Sequence, residues 1–408
     1  MSAFGLLVQL AWRNLWRNLR RNTILAIAIA IGVATLLVAV ALVRGWQGDL
    51  QRDTVLAAGG HLKIQQPGFR DDPSARLAFA LPTALVASLD AARVDWTTRI
   101  ALPVVIMSER ETRGVQLLAG DIEWEQRVGA LDGARITGAM LTGSGDGRVL
   151  LGAELARRLE TRPGKRVVLM LAAADGSVQE VGMLVAGTYD VDGTGTELAV
   201  AYTGLQALQP LVASEPRVTE VALHLPDERM LAQWRLDLAT QLPALESLTW
   251  RELQPQSAAL IAFVDGTIWI TFIILLAALS FGVTNTLIAA VLERARELGL
   301  MFVLGMRRAQ IVTQVMVESV FVVLSGLLLG LVSGGLWVHS LADGIDLTRW
   351  AAGVEMAGIR SRMVPDLQLA DVLFLALLVV ALGMLGALYP AWRAVRLDPL
   401  EALHGRKH

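Results

Sequence analysis

Cysteine is absent from the chain. That absence excludes a disulfide framework, a thiolate nucleophile and any cysteine-ligated metal. Histidine is scarce, and His61, His224, His339, His404 and His408 show no spacing that reads as a metal-binding set. No phosphate-binding loop is present either: Gly164-Lys165 lacks the first glycine and the Ser/Thr that such a loop requires. No Ser/His/Asp arrangement or carboxylate pair stands out, and Asp71-Asp72 runs into a proline, as a solvated loop does. A net charge of −2 supplies no positive field to attract phosphates, which argues against a nucleic-acid binder.

What the chain has in quantity is apolar sequence. With 54% hydrophobic and 18% charged residues it is too apolar for a purely soluble protein and too charged for an all-membrane one. Four apolar stretches, 23–45, 266–292, 311–338 and 369–389, each hold about 20 residues or more, enough to cross a hydrocarbon core of about 30 Å. Residues 46–265 read as an ordinary water-soluble domain, large enough to bury a core without disulfides. The basic start followed by an apolar run also resembles a signal peptide, and Ala39-Val40-Ala41 matches the small-x-small cleavage pattern. Against cleavage, about 22 residues precede the run, and the run is longer than a signal core.

Basic clusters orient the spans. Arg13, Arg17, Arg20 and Arg21 precede the first, Arg294, Arg296, Arg307 and Arg308 separate the second and third, and Arg393, Arg396, Arg406 and Lys407 follow the fourth. Basic residues near span ends stay cytoplasmic, and an even number of spans lets all three clusters do so. The expected fold class is therefore an α-helical membrane protein with four transmembrane helices. A large extracytoplasmic α/β (α+β) domain is inserted between the first and second spans, and residues 339–368 form a second outer loop.

Within residues 1–22, Val8, Trp12, Leu15, Trp16 and Leu19 share one helical face, with Arg13, Asn14, Arg17, Arg20 and Arg21 largely opposite. This suits either a simple retention anchor or an elbow helix in the inner leaflet that steers the first span. In the outer domain, 61–65 and 220–225 alternate like strands, while 81–93 and 228–242 carry helical spacing. Residues 148–201 read as short strands broken by turns at Pro163-Gly164, Asp175-Gly176 and Asp192-Gly193, and a glycine-rich loop spans 138–147. The pattern predicts two interleaved lobes: an α/β lobe built from both ends of the insertion and a β-rich lobe in its centre. In the third span, Gly326, Gly330 and Gly334 form a smooth stripe at intervals of four, suited to close helix packing.

The connector after the second span, residues 293–310, is the most specific segment. Glu293-Arg294-Ala295-Arg296-Glu297-Leu298-Gly299 is followed by Gly305 and by Arg307-Arg308. Charged residues beside Leu298, Met301, Phe302 and Leu304 describe a short amphipathic element, built to seat in a groove on another protein. The alternative is a solvated turn obeying the positive-inside rule, in which Met301 and Phe302 would gain nothing.

This connector resembles the signature of FtsX-like, or MacB-type, ABC permeases, roughly Asn…Glu-Arg-x-Arg-Glu-Ile-Gly…Gly-x-x-Arg; Leu298 stands where isoleucine is commoner. The start, Ala11-Trp12-Arg13-Asn14-Leu15-Trp16-Arg17-Asn18, is similar to the family's amphipathic opening. The end, from Tyr389-Pro390-Ala391-Trp392-Arg393 to Leu397-Asp398-Pro399-Leu400-Glu401-Ala402-Leu403, resembles its closing motif. Leu150-Leu151-Gly152-Ala153-Glu154-Leu155-Ala156 and Thr249-Trp250-Arg251-Glu252-Leu253 look like the lipoprotein-releasing (LolC/LolE-like) members.

The resemblance implies that Glu293, Arg294, Arg296, Glu297, Gly299 and Gly305 belong to a coupling helix that docks into a separate ATPase. Asn285 and Glu318 match polar positions of the family. An intramembrane carboxylate costs about 2.5–3.5 kcal/mol at the bilayer centre, so Glu318 serves either a hydrogen bond within the bundle or coupling. No cofactor is expected in this chain; ATP and Mg would sit on the partner. The expected partners are an ABC ATPase dimer, a second permease copy or paralogue, membrane lipid, and a lipoprotein substrate or a periplasmic adaptor, with no nucleic acid. The expected location is the bacterial inner membrane, with both termini and the tail 390–408 cytoplasmic and the large domain periplasmic. Lipoprotein extraction is the leading task. A tripartite efflux permease, or a regulatory scaffold for a periplasmic partner such as a cell-wall hydrolase, are the alternatives.

Overall fold

The structure is a computed structural model that describes residues 9, 13, 17, 19–191, 196–213, 215–293, 301, 305–346 and 362–396. Its helices are α1 (Leu19–Ala58), α2 (Thr83–Ala91), α3 (Ile122–Val128), α4 (Ala153–Arg158), α5 (Leu205–Val212), α6 (Leu231–Gln241), α7 (Trp250–Leu253), α8 (Pro255–Glu293), α9 (Arg308–Ser340) and α10 (Leu369–Arg396). Its strands are β1 (Leu62–Gln65), β2 (Asp95–Met107), β3 (Thr112–Gly120), β4 (Arg135–Gly138), β5 (Val149–Gly152), β6 (Arg166–Ala172), β7 (Val178–Asp190), β8 (Val200–Gly204), β9 (Glu220–His224), β10 (Glu246–Thr249), β11 (Ile345–Asp346) and β12 (Arg362–Met363). The chain divides into two units, one of 1–48, 262–349 and 362–408, the other of 49–261 with 350–361.

The first unit is helical, and α1, α8, α9 and α10 each contain a segment long and apolar enough to cross a membrane. They share one core, in which Leu25, Ile29, Val33 and Leu37 of α1 meet Ile268 and Phe272 of α8, Val323 and Leu327 of α9, and Leu375 and Val379 of α10. Their other faces leave large apolar side chains exposed, among them Ile31, Ile273, Leu328, Trp337, Leu373 and Leu377. A bundle that is apolar both inside and outside is the pattern lipid requires.

The second unit is a ten-stranded mixed sheet in two parts joined by β2. The first half of β2, Asp95–Arg99, pairs with β9, which continues through β1 to β10, all antiparallel. Leu62, Ile64, Val221 and Leu223 point from these strands into a core closed by Leu85 and Leu89 of α2 and Leu238 of α6. From Ile100 onward β2 pairs instead with β3. The path then runs through β8, β5 and β7 to β6, which returns to β2 through Val105↔Met170, Ile106↔Leu169 and Met107↔Val168. These six strands close into a small barrel. Every second residue of β2 (Ile100, Leu102, Val104, Ile106) fills its interior with Val115, Leu117, Val167, Leu169, Met183 and Val185, the period-two alternation of a half-buried strand.

Element boundaries differ from the hydropathy limits. The helix of the first span starts by Leu19, inside the segment assigned to the elbow, and continues past residue 45 to Ala58. Polarity rises after Arg44, yet Gly45 and Gly48 do not break the helix, which runs on until Gly59 and Gly60, both at positive φ, stop it. Helix α8 begins at Pro255, well before residue 266, because proline is tolerated in a first helical turn. Residues 308–310 belong to α9 rather than to the connector, since the Arg307 N–H donates to Gln310 Oε1 at 2.8 Å and starts the helix. Helix α10 runs into the tail as far as Arg396. The loop after α9 contains a ribbon, Ile345↔Met363 and Asp346↔Arg362, that hydropathy does not mark. The strands read from alternation at 61–65 and 220–225 are β1 and β9, and the helical spacings at 81–93 and 228–242 contain α2 and α6.

Candidate functional site

The predicted coupling segment is only partly described. Glu293 ends α8, and Asn285 lies within that helix; Arg294, Arg296, Glu297 and Gly299 lie outside the described residues. Gly305 occupies a turn at φ +98°, a conformation that favours glycine, and the Met306 N–H returns to the Met301 carbonyl at 3.1 Å. The chain then enters α9 at Arg308.

Glu318 lies in α9, 8% exposed, with Gln314 and Ser319 buried beside it. The Ser319 hydroxyl donates to the Val315 carbonyl at 2.9 Å. Gln314 and Glu318, four residues apart, share one face of the helix. Sequence reading singled out Glu318 and passed over Gln314 and Ser319.

One helical turn intervals carry the glycines against α1. A β-carbon on Gly326 would come within 2.7 Å of Ile29 Cβ, one on Gly330 within 2.6 Å of Val33 Cβ, and one on Gly334 within 2.9 Å of Ala34 Cα. These are distances that β-carbons do not tolerate, so α9 and α1 approach along a seam that only glycine permits.

An ionic cluster that the sequence reading did not identify ties three of the four helices. Arg44 of α1 donates from Nε to Asp371 Oδ2 of α10 at 3.0 Å and from Nη2 to Asp371 Oδ1 at 3.1 Å. Its Nη1 donates to Asp265 Oδ1 of α8 at 2.8 Å and to Gln47 Oε1 at 3.0 Å. The Arg44 and Asp371 side chains are 14% and 8% exposed, whereas Asp265 is 46% exposed. The fork of Arg44 on Asp371 is bidentate, which fixes orientation as well as distance. Asp265 stands one turn from Trp269, whose ring meets Phe374 of α10 edge-on at 4.8 Å. The signal available in sequence was an arginine at the end of the first apolar run, with an acid flanking the second and another opening the fourth.

Among the described residues no group of three metal-ligating side chains is found. His61 and His224 do meet, with ring centroids 4.6 Å apart, but His61 Nδ1 accepts the Leu225 N–H at 3.2 Å. Burial and the neighbouring His224 lower the pKa of His61 to about 4, so the imidazole is neutral near pH 7.

Comparison with known proteins covers nearly the whole chain. Residues 23–240 match the MacB-like periplasmic core domain, and residues 269–399 match the FtsX-like permease C-terminal family. The lipoprotein-releasing system transmembrane protein LolC of Xylella fastidiosa is 24% identical over 395 residues, covering 92% of each chain. The corresponding protein LolE of Haemophilus influenzae is 22% identical over 389 residues, covering 93% of this chain and 92% of its own. The macrolide export ATP-binding/permease protein MacB of Sodalis glossinidius is 35% identical over 129 residues, 30% of this chain and 17% of its own length.

Proposed function

The chain belongs to the FtsX-like permeases with a MacB-like periplasmic core domain, bacterial inner-membrane ABC permeases of the LolC/MacB type, and on that footing we propose that it relays ATP hydrolysis on a separate ATPase to its α/β unit, extracting lipoproteins from the inner membrane. The observation that carries the cargo is end-to-end likeness: the lipoprotein-releasing relatives align over 92% of this chain, the MacB relative over 30%. The basic clusters favour cytoplasmic termini and a periplasmic α/β unit. Glu293, Arg294, Arg296, Glu297 and Gly299, with the turn at Gly305, would form the element that seats in the ATPase, and Asn285 and Glu318 would serve polar contacts within the spans.

Helix α1 gives the relay a physical route. Its 40 residues extend about 60 Å, twice the hydrocarbon thickness, so a tilt at one end is a displacement at the other. The permease would work as a dimer, with a second copy or a paralogue, on an ATPase dimer that holds ATP and Mg.

The test is gentle-detergent purification of the tagged chain from its own membrane, beside the variant Glu293→Lys/Glu297→Lys, with co-eluting proteins identified by mass spectrometry. An ABC ATPase and acylated lipoproteins should accompany the parent. The variant should keep its membrane abundance but lose at least tenfold of the ATPase; undiminished ATPase binding would overturn the docking assignment. A second reading, a permease of a tripartite efflux system, is favoured by the 35% identity to MacB over 129 residues. A co-eluting adaptor in place of lipoproteins would establish it.

A further inference from the structure

A buried charge network sits where β2 passes from one half of the sheet to the other. Arg99 is the last β2 residue paired with β9, opposite Glu220, and Ile100 is the first paired with β3. At this crossing Thr219 bridges the strands, its hydroxyl accepting the Ala101 N–H at 2.8 Å. Arg99 is 0% exposed. Its Nε donates to Glu125 Oε1 of α3 at 2.6 Å, and its Nη1 donates to the Gly59 carbonyl at 2.8 Å. The same Nη1 lies 3.5 Å from Glu220 Oε1, and Lys63 of β1 closes the network 3.1 Å from Glu220 Oε2. The guanidinium also lies 4.9 Å from the ring centre of Trp124 on α3.

Three bodies therefore meet on one side chain. Glu125 and Trp124 belong to α3, which packs on the barrel strands through Ile122. Glu220 and Lys63 belong to the flat half of the sheet, and Gly59 is the residue that follows α1. The backbone makes room for this meeting. Gly59 is at φ +81° and any β-carbon there would strike the Arg99 guanidinium; a β-carbon on Gly129 would strike Glu125.

Two cations and two carboxylates leave the network neutral. Burial pushes the Glu125 carboxyl up, while for Glu220 burial is outweighed by Lys63 and Arg99, which hold it below the usual range. Stability alone does not account for such a group, because charges removed from water are costly and apolar side chains of like volume serve a core as well or better. What a guanidinium fork adds is fixed geometry among its partners.

We propose that Arg99 is a positioning residue that locks the barrel, the flat sheet and the end of α1 into one rigid body, so that movement of the first span reaches both halves of the α/β unit together. The purpose of the lock rests on the permease reading; the lock itself does not.

The cysteine-free chain allows a direct test. Spin labels on cysteines introduced at Ala87 in α2 and Gln179 in β7, both exposed, report the distance between the two halves in the detergent-solubilised full chain. The parent should give one narrow distance distribution. Arg99→Met/Glu125→Met removes a buried pair and leaves Glu220 with Lys63; it should broaden the distribution at least twofold with little change in the thermal unfolding midpoint. Should that variant fail to fold, Arg99→Lys, which keeps the charge but not the fork, should broaden it as well. Parental width in either folded variant would overturn the lock. No ATPase takes part in the measurement, so this failure is distinct from a failure of the ATPase-docking assignment.

Discussion

Arg44 is a single residue on which three helices converge, and its two acids are not equivalent. Asp371 is buried and takes the bidentate fork, whereas Asp265 is nearly half exposed. Breaking a buried pair by removing one partner costs about 3–5 kcal/mol, and Asp265 would still hold Arg44, so Asp371→Asn is expected near the lower limit. Asp265→Asn should cost under about 1 kcal/mol, as exposed pairs do. Thermal unfolding of the detergent-solubilised protein checks the ranking, and an equal effect of the two would contradict it. Sequence alone showed Glu318, because a carboxylate inside an apolar run is conspicuous. Arg44, Asp265 and Asp371 escaped notice because each lies at the end of a run, where a charge is ordinary. Arg99 escaped notice too: its partners are 26 and 40 residues away, and a lone arginine in a strand carries no periodic signal.

At the scale of elements, the seam between α1 and α9 is the clearest case of pattern becoming packing. Gly330→Leu should force the helices apart and cost about 1–3 kcal/mol or more, whereas Gly335→Leu, with nothing near its β-position, should stay within about 0.5 kcal/mol. Comparing the two unfolding midpoints removes the shared effect of adding a leucine to a helix. The four-residue glycine interval was legible because it repeats. Helix ends were not: hydropathy marks where a helix becomes polar, while α1 ends at Gly59-Gly60, where backbone conformation changes. The ribbon β11–β12 was invisible because two residues per strand offer no period.

For the whole molecule, orientation is the property that the proposed function most needs. In the cysteine-free chain, a cysteine at Gln179 should react with a membrane-impermeant maleimide in intact spheroplasts. One at Ala309, at the start of α9, should react only after permeabilisation. The reverse pattern would overturn the proposed topology. The strands β1 and β9 were readable from alternation, since large apolar side chains recur at every second position, Leu62 and Ile64 in one and Val221 and Leu223 in the other. Their assembly was not, because the barrel closes through β2 and β6, whose paired residues lie more than 60 positions apart. That closure has a further consequence, concerning self-association. An open sheet presents rows of unpaired N–H and C=O groups to which another chain can add. Here ring closure leaves the sheet path ending at β10 and β4, strands of four residues each. At these two end strands the sheet thus offers only short templates for strand addition, which disfavours zipping there between copies of this domain held side by side on one membrane.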